Sequence, residues 1–402
     1  MVAPLLGGRA RGEAAAGADR RVGGERLDLL LRFLHVVAGI AWIGASFYFI
    51  RLDLGLRPPA DEADARDGVS GEYWGVHGGG FYHSQKYRVA PRVLPEHLHW
   101  FRWEAYTTWL SGFALLVVLY YVDAGTRLVD RAVADLAPWQ AVAISVAGLA
   151  GAWLVYDALC RVVRSDLVLG IGVAAMVVLA AWGAGELFAP RAAYLQVGAM
   201  LGTIMAANVF FAIIPAHWEL IRAKQAGRDP DPAPGVNAKR RSVHNNYLTL
   251  PVVFTMLAGH FPLTFAHDRA WLVLLGVMGL SAYLRHFFNA WHLGRREWAI
   301  PAVVAVGAVL LAVALEPSDE RATAQAPPSD AEVRAIVTER CAGCHAGVAA
   351  PNGVRLDSLA GLRANARAVE RMAIDSRAMP PGNATGITDR ERDLLAAWLA
   401  SR

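Results

Sequence analysis

Residues 27–50, LDLLLRFLHVVAGIAWIGASFYFI, are apolar apart from Asp28, Arg32 and His35. A helix needs roughly 20 such residues to cross the hydrocarbon core of a membrane, so this stretch predicts a membrane-spanning helix. The composition of the whole chain agrees, because only 18% of its 402 residues are charged and its mean hydropathy is +0.31. Soluble domains average about 25% charged residues. We therefore expect a membrane protein.

Seven further segments meet the same criterion, which gives about eight predicted spans. They lie near residues 103–122, 138–158, 167–188, 191–217, 245–261, 269–290 and 298–315. The predicted fold class is all-α, a polytopic transmembrane helix bundle. Two polar segments, 51–102 and the proline-rich 221–241, are predicted loops.

The motif Cys341-Ala342-Gly343-Cys344-His345 lies near the other end of the chain. C-x-x-C-H is the haem c attachment signature, since two thiols at this spacing reach the vinyl groups of one haem and the adjacent histidine binds the iron. A zinc knuckle is the alternative, but the third cysteine, Cys160, stands alone, so a second pair is missing. We predict one covalent haem c in a class I-like cytochrome c domain.

The predicted domains follow from these motifs. Residues 1–26 form a flexible tail, 27–316 a transmembrane catalytic domain, 317–328 a Pro/Ala-rich linker, and 329–402 the cytochrome c domain. In the last of these, helices are predicted over 330–340 and 388–401, the second opened by a capping box of Thr388 and Glu391.

The sixth ligand of the haem iron is predicted to be Met379, in Ala378-Met379-Pro380-Pro381-Gly382. The proline pair restricts a loop that has to hold a weak thioether on iron. Met372 is the rival, with a helical packing role as its other interpretation. Methionine ligation raises the potential of a haem, so this haem would accept electrons.

Lys and Arg are concentrated in the loops after the first, third, fifth and seventh predicted spans. Basic loops face the cytoplasm, which places both termini outside, although the five arginines of the tail count against this orientation. Haem c is attached on the outer side of the bacterial inner membrane, which agrees with it. We expect a multi-pass protein of that membrane, in contact with lipid, with the cytochrome domain in the periplasm. The formal charge of +4 is too small to indicate nucleic acid.

Histidines in the membrane region fall into two predicted layers. His35 and His260 lie in the outer half. Towards the cytoplasm lie His97, His99, Glu104, His217, Glu219, His244, His286 and His292. Ionisable residues at membrane depth are functional candidates, although each histidine alone could be a hydrogen-bonded packing residue. His35 is followed by Gly39 and Gly44, which would let a flat macrocycle approach, so a non-covalent haem b on His35 and His260 is a further expectation.

Several stretches also resemble a known family, the membrane-bound, cytochrome-c-linked urate hydroxylases with a urate oxidase N-terminal membrane domain. The resemblance covers the chain from about Leu27 to its end. Its strongest stretches are 74–87 with Ala90-Pro91, 94–113 (LPEHLHWFRWEAYTTWLSGF), 215–218 (PAHW) and 242–262 (SVHNNYLTLPVVFTMLAGHFP). It implies oxidation of urate to 5-hydroxyisourate in purine catabolism, with electrons passed to haem c and on to a respiratory acceptor, a soluble cytochrome c or an oxidase.

The predicted cytoplasmic cluster gives this reaction candidate residues. Lys86, Arg88, Arg92 and Arg102 could attract the urate anion, and Trp100, Trp103 and Tyr106 could stack on it. The arginines are equally explained by membrane orientation alone. His99, His244 or Glu104 would accept a proton as the ring is oxidised. The Gly-rich stretch 74–83 is predicted to be a loop; His77 and His83 within it are functional candidates, with a merely flexible loop as the alternative.

Two other interpretations remain open. The first is a quinol-linked or respiratory electron-transfer cytochrome without substrate chemistry of its own, which would need a partner dehydrogenase. The second is a membrane-anchored cytochrome whose bundle is only a scaffold, against which the histidine layers argue.

Overall fold

The computed structural model describes residues 6–267, 269–315, 328–347, 350–375 and 377–401, without the side chains of 6–25 and 352. The predicted linker 317–328 therefore lies outside the described residues except for its last residue. Chain contacts divide the protein into two compact units: unit 1 contains Met1–Val122 and Ala206–Ser242, and unit 2 contains Asp123–Met205 and Val243–Arg402.

Long helices dominate the first three quarters of the chain. They are α1 Leu6–Gly55, α2 Glu62–Arg66, α3 Trp103–Leu116, α4 Ala124–Arg127, α5 Pro138–Val162, α6 Asp166–Leu187, α7 Pro190–Asn208, α8 Ile214–Gln225, α9 Pro232–Ala258, α10 Pro262–Phe265, α11 Ala270–His292 and α12 Ala299–Ala314. π-helical turns over Val117–Tyr121 and Val209–Ile213 prolong α3 and join α7 to α8. The expected all-α membrane fold is confirmed.

Each of the eight predicted spans coincides with a helix. Among the described residues, five helical segments are long and apolar enough to cross a membrane: Arg26–Gly55, Pro138–Val162, Asp166–Leu187, Pro190–Gln225 and Ala270–His292. The other three predicted spans fall on α3, α9 and α12. Of these, α12 has only 16 residues, and α9 is lengthened by a polar first half.

Two predictions about polar segments differ from the structure. The helix α9 begins at Pro232, inside the predicted loop 221–241, because proline is tolerated in the first turn of a helix, where its missing N–H has no partner to lose. The helix α1 begins at Leu6, whereas residues 1–26 are predicted as a flexible tail.

The predicted loop 74–83 is instead part of an antiparallel β-hairpin. Its strands are β1 Val69–His77 and β2 Gly80–Tyr87, and Trp74 pairs with His83 in its register. The turn residues Gly78 and Gly79 have φ of 57° and 82°, respectively. Positive φ at both central residues is what the tight hairpin turn requires, and glycine adopts it without a steric penalty.

One face of α1 makes the contacts that organise unit 1. From the N-terminal side these are His35 against Thr108, Trp42 against a core of Ala105, Val209 and Ile214, Phe49 against Phe101, and Asp53 against Lys86 and Lys239. The spacing of seven residues between His35, Trp42 and Phe49 returns to nearly the same side of a helix. The hairpin, the start of α3 and the start of α9 are thus joined to the C-terminal half of α1.

One end of unit 2 collects the loops that the sequence predicts to face outside. Ala189 N donates to Leu128 O at 2.9 Å, and the Tyr194 hydroxyl donates to Thr264 O at 2.9 Å. Leu128, Val129 and Phe265 are at most 3% exposed there. These loops form the surface against which part of the cytochrome domain packs, as described below.

The cytochrome domain has helices α13 Asp330–Arg340, α14 Leu359–Ala364, α15 Ala366–Val369 and α16 Asp389–Ala400, with a π-helical turn over Glu370–Asp375. Its core includes Val333, Leu362, Leu395 and the fully buried Trp398. The predicted capping box of Thr388 and Glu391 opens α16, and Ser329 with Glu332 forms a second one at α13. Both boxes satisfy N–H groups that a helix start leaves open.

Candidate functional site

The C-x-x-C-H motif begins where α13 ends. Cys344 N and His345 N both donate to Cys341 O, at 3.2 and 3.0 Å, so the chain makes one tight turn that keeps the three side chains close together. Neither cysteine forms a disulfide, and burial raises the pKa of the Cys341 thiol. Both thiols are therefore available for thioether bonds to a haem.

His345 has the tautomer that iron ligation requires. Its Nδ1 lies 2.9 Å from Val354 O. Because a carbonyl oxygen can only accept, Nδ1 carries the hydrogen and Nε2 keeps its lone pair. A hydrogen bond of this kind fixes the ring of a metal-binding histidine.

Met379 is held at the edge of the same hydrophobic core as Cys341. Its N–H donates to Met372 O at 2.7 Å, and its carbonyl accepts from Arg392 Nη1 at 2.8 Å. Met379 packs on this core, and Met372 contributes its carbonyl to the support of Met379. Two thiols, an imidazole and a thioether form the donor set of a methionine-ligated haem c, so the residues present fit that group.

In unit 1, His35 repeats the arrangement of His345. Its Nδ1 lies 2.9 Å from Thr108 O and 3.1 Å from Ser111 Oγ, so the same argument places the hydrogen on Nδ1. The ring lies over Gly112, where an added Cβ would be 2.7 Å from His35 Cε1. His35 is thus oriented by α3 with Nε2 left unprotonated.

An aromatic cluster lies at the start of α3. The Trp100 and Trp218 ring centroids are 4.6 Å apart, and the Arg102 guanidinium lies 5.4 Å from the Trp100 ring and 5.6 Å from the Trp103 ring. Tyr106 packs on the neighbouring core. A cation between two indoles gives a surface that is both flat and positive, which suits a planar anion.

Two polar atoms in this cluster are buried and lack a hydrogen-bond partner among the described residues: Arg102 Nε and Glu104 Oε2. Such atoms carry a desolvation cost unless something pairs with them. One is a donor of a cation and the other an acceptor of a carboxyl group, two residues apart. Each of these two atoms at the start of α3 is therefore open to a hydrogen bond with a polar ligand.

The other predicted catalytic residues have different surroundings. His99 is exposed, and its ring contacts Phe101 edge-on at 4.5 Å. In unit 2, His244 Nδ1 forms a hydrogen bond of 2.7 Å with the hydroxyl oxygen of the buried Tyr156. His99 and Glu104 thus belong to unit 1 and His244 to unit 2. His260, the second predicted haem b ligand, is exposed just after α9 in unit 2.

The stretch His244-Asn-Asn-Tyr247 shows why this motif is distinctive. Besides the His244 contact, Asn245 Nδ2 donates to Met205 O at 3.0 Å, Asn246 accepts from the buried Arg285 at 2.6 Å, and the Tyr247 hydroxyl pairs with His286 Nδ1 at 2.7 Å. Four consecutive side chains therefore make polar contacts in the bundle.

Glu72 is a polar residue of the hairpin that the sequence patterns did not point to. Glu72 Oε2 lies 2.7 Å from His83 Nε2, and the His83 ring stacks on Trp74 at 4.0 Å. Hydrogen bonds from His83 and from Ala60 N lower the pKa of Glu72. Alternation of polar and aromatic residues on either side of the glycine turn was the available signal for this hairpin.

Comparisons with known proteins match two parts of the chain. A family model described as urate oxidase N-terminal matches residues 23–316, and one described as cytochrome c oxidase, cbb3-type, subunit III matches residues 328–399. No curated protein and no solved structure matches the chain. The second match identifies a cytochrome c domain, which implies covalently bound haem c. Because the first match spans most of the sequence, the chain belongs to the urate oxidase N-terminal family.

Proposed function

We propose that this protein oxidises urate to 5-hydroxyisourate in the bacterial inner membrane, as a step of purine catabolism. Urate and water give 5-hydroxyisourate, two protons and two electrons. The electrons leave one at a time through haem c to a one-electron acceptor, a soluble cytochrome c or an oxidase. The family and the cytochrome domain support an oxidoreductase with haem electron transfer, and the substrate chemistry is our proposal.

The observation that carries this proposal is the unpartnered pair at the start of α3. Urate is a planar anion near neutral pH. The Arg102 guanidinium would bind the anion, Trp100 and Trp103 would stack on its faces, and Tyr106 would border the site. The Glu104 carboxylate would accept a proton from the ring or from the attacking water.

The two predicted histidines keep a place in this proposal. His99 is the exposed neighbour of the aromatic cluster and would pass the released proton to solvent. His244, with its partner Tyr156, is the candidate proton acceptor of unit 2. Glu104 is preferred over both, because its unpartnered oxygen is the one that a ligand would satisfy.

Two haem groups belong to this proposal. Cys341, Cys344, His345 and Met379 would hold haem c, which supplies a one-electron acceptor when bound. A haem b would be held by His35 through Nε2, because Nδ1 of this ring is used by Thr108 O, and the pairing with His260 stays a prediction from the sequence. We place the cytochrome domain on the periplasmic side, where haem c is attached.

The test is urate turnover by membranes that contain the protein. Loss of urate absorbance and reduction of haem c are followed together, with Arg102→Gln and Glu104→Gln as variants and Arg57→Gln, an exposed arginine elsewhere in unit 1, as the control. Loss of a charged hydrogen bond weakens binding by about 1.5–3 kcal/mol, so we expect KM for urate to rise roughly tenfold to 100-fold in Arg102→Gln. In Glu104→Gln we expect kcat to fall and its pH dependence to change.

Two results would contradict the proposal. If haem c is reduced by quinol but never by urate, the quinol-linked electron-transfer function replaces it. If urate is consumed but both variants behave like Arg57→Gln, the substrate does not bind at the start of α3.

A further inference from the structure

The loop that carries Met379 in the cytochrome domain is in backbone contact with an outer loop of unit 2. Gly382 has a φ of 56°, and an added Cβ there would lie 2.6 Å from Val129 O and 2.7 Å from Thr126 O. Both contacts are backbone atoms, which cannot move aside by a change of rotamer. Only glycine lets these two segments of the backbone approach so closely.

A second contact lies on the other side of the Met379 loop. The π-helical turn Glu370–Asp375 packs against α10 of the membrane region. The same turn provides Met372 O as the acceptor for Met379 N. The membrane region therefore touches both the turn that supports Met379 and the loop that follows it.

The buried Arg392 connects these contacts. Its guanidinium donates to Ala373 O and to Met379 O. Ala373 belongs to the turn that packs against α10, so the same side chain joins that turn to the backbone of Met379.

The outer loops that the cytochrome domain contacts contain buried residues, unlike loops that are surrounded by water. Leu128 is fully buried, Val129 and Phe265 are 3% exposed, and Ala189 N holds Leu128 O at 2.9 Å. Loops at the end of a membrane bundle ordinarily face water. By contrast, Cys344, the second cysteine of the haem motif, is exposed.

We propose that the haem c domain functions docked on the loops 124–130 and 262–265, with its Met379 side against the membrane region. An electron would reach ferric haem c from that side and reduce it to ferrous haem, and the exposed Cys344 side would deliver that electron to a one-electron acceptor of the c-type cytochrome class. The docked contact replaces movement of a tethered domain between donor and acceptor. The direction of electron flow rests on the proposed function, but the docked contact does not.

The experiment compares Gly382→Ala with Gly386→Ala in the full-length holoprotein. Gly386 has a φ of 64° in the same loop, but nothing lies within 4 Å of an added Cβ. The two substitutions therefore impose the same backbone strain, and only Gly382→Ala disturbs the contact. Two readouts are followed: amide hydrogen exchange of residues 124–130, and the rates of haem c reduction by urate and by ascorbate.

For Gly382→Ala we expect exchange of 124–130 to increase at least tenfold and urate-driven reduction to slow at least tenfold, with reduction by ascorbate unchanged. For Gly386→Ala we expect wild-type behaviour in both readouts. Equal behaviour of the two variants would overturn the docked arrangement. If the wild-type protein itself shows no urate-driven reduction, the proposed function fails, while hydrogen exchange still decides whether the domain is docked.

Discussion

His345 in the cytochrome domain and His35 in the membrane region have the same local arrangement but different origins. Each ring donates Nδ1–H to a backbone carbonyl at 2.9 Å and keeps Nε2 free. The acceptor of His345 is nine residues away in the chain, whereas that of His35 is 73 residues away. A cofactor site in the first region is encoded locally, and in the second it depends on helix packing.

The largest effect is expected from removing the local site. In the double variant Cys341→Ala/Cys344→Ala, we expect loss of covalent haem and of the proposed urate-driven electron transfer, because the thioether bonds are lost. Haem staining of denatured protein and absorbance spectra of native protein measure this. The buried Cys160→Ala variant serves as the control and should retain both signals. Haem absorbance that survives in the folded double variant identifies a second haem, and its absence would reduce His35 to a packing residue.

The second prediction breaks the long-range site. Gly112→Ala places a methyl group against the His35 ring, and overpacking of this kind costs about 1–3 kcal/mol. We expect a lower Tm in detergent and loss of any non-covalent haem. Gly148→Ala in α5 is the matched control, because nothing lies within 4 Å of its added Cβ and alanine favours a helix. Similar Tm values for the two variants would show that His35 is not held against Gly112.

The third prediction tests whether a contact between residues close in the sequence stabilises the cytochrome domain. Thr388→Ala removes the side chain that caps α16, which should lower the stability of this domain by about 1 kcal/mol. Thr388→Ser keeps the hydroxyl and should restore stability. Denaturant unfolding followed by haem c absorbance measures both. A loss of similar size in the serine variant would contradict the capping explanation.

The smallest effect concerns the hydrogen bond between Glu72 and His83, which are 11 residues apart in the sequence. Hydrogen bonds lower the pKa of Glu72 below its ordinary value of 4.5, so the carboxylate stabilises the hairpin above that pH. This contribution is lost as the pH falls through the lowered folded pKa. Hydrogen exchange of residues 69–87 between neutral pH and the pH at which Glu72 protonates should show the loss. Glu72→Gln should abolish this pH dependence, and a retained dependence would assign it to another group.

The predictable parts of the protein are those whose signal lies within a few residues. Each of the eight spans predicted from hydropathy falls on a helix, and the C-x-x-C-H motif with the Thr388 cap located the cytochrome domain. The hairpin was missed because the glycines at 78–80 were interpreted as part of a loop, although paired glycines also permit a tight turn between two strands. The early start of α9 was missed because Pro232 was taken only as a helix breaker.

The candidate substrate site shows the opposite limit. The sequence shows Trp100, Arg102 and Glu104 near the start of one helix. Whether they can bind a ligand depends on residues that are distant in the sequence. Trp218, more than a hundred residues away, completes the stack on Trp100. The lack of a partner for Glu104 Oε2 is a property of the folded chain that residue order does not contain.

The face of α1 that carries His35, Trp42, Phe49 and Asp53 has a rotational consequence. One helical residue corresponds to about 100° of turn, so insertion of a single residue after Gly44 would rotate Phe49 and Asp53 away from their partners while His35 kept its own. Insertion of seven residues would nearly restore the angle but separate the two ends by about 10 Å. The helix therefore sets both the relative rotation of His35 and the hairpin about the axis of α1 and the distance between them.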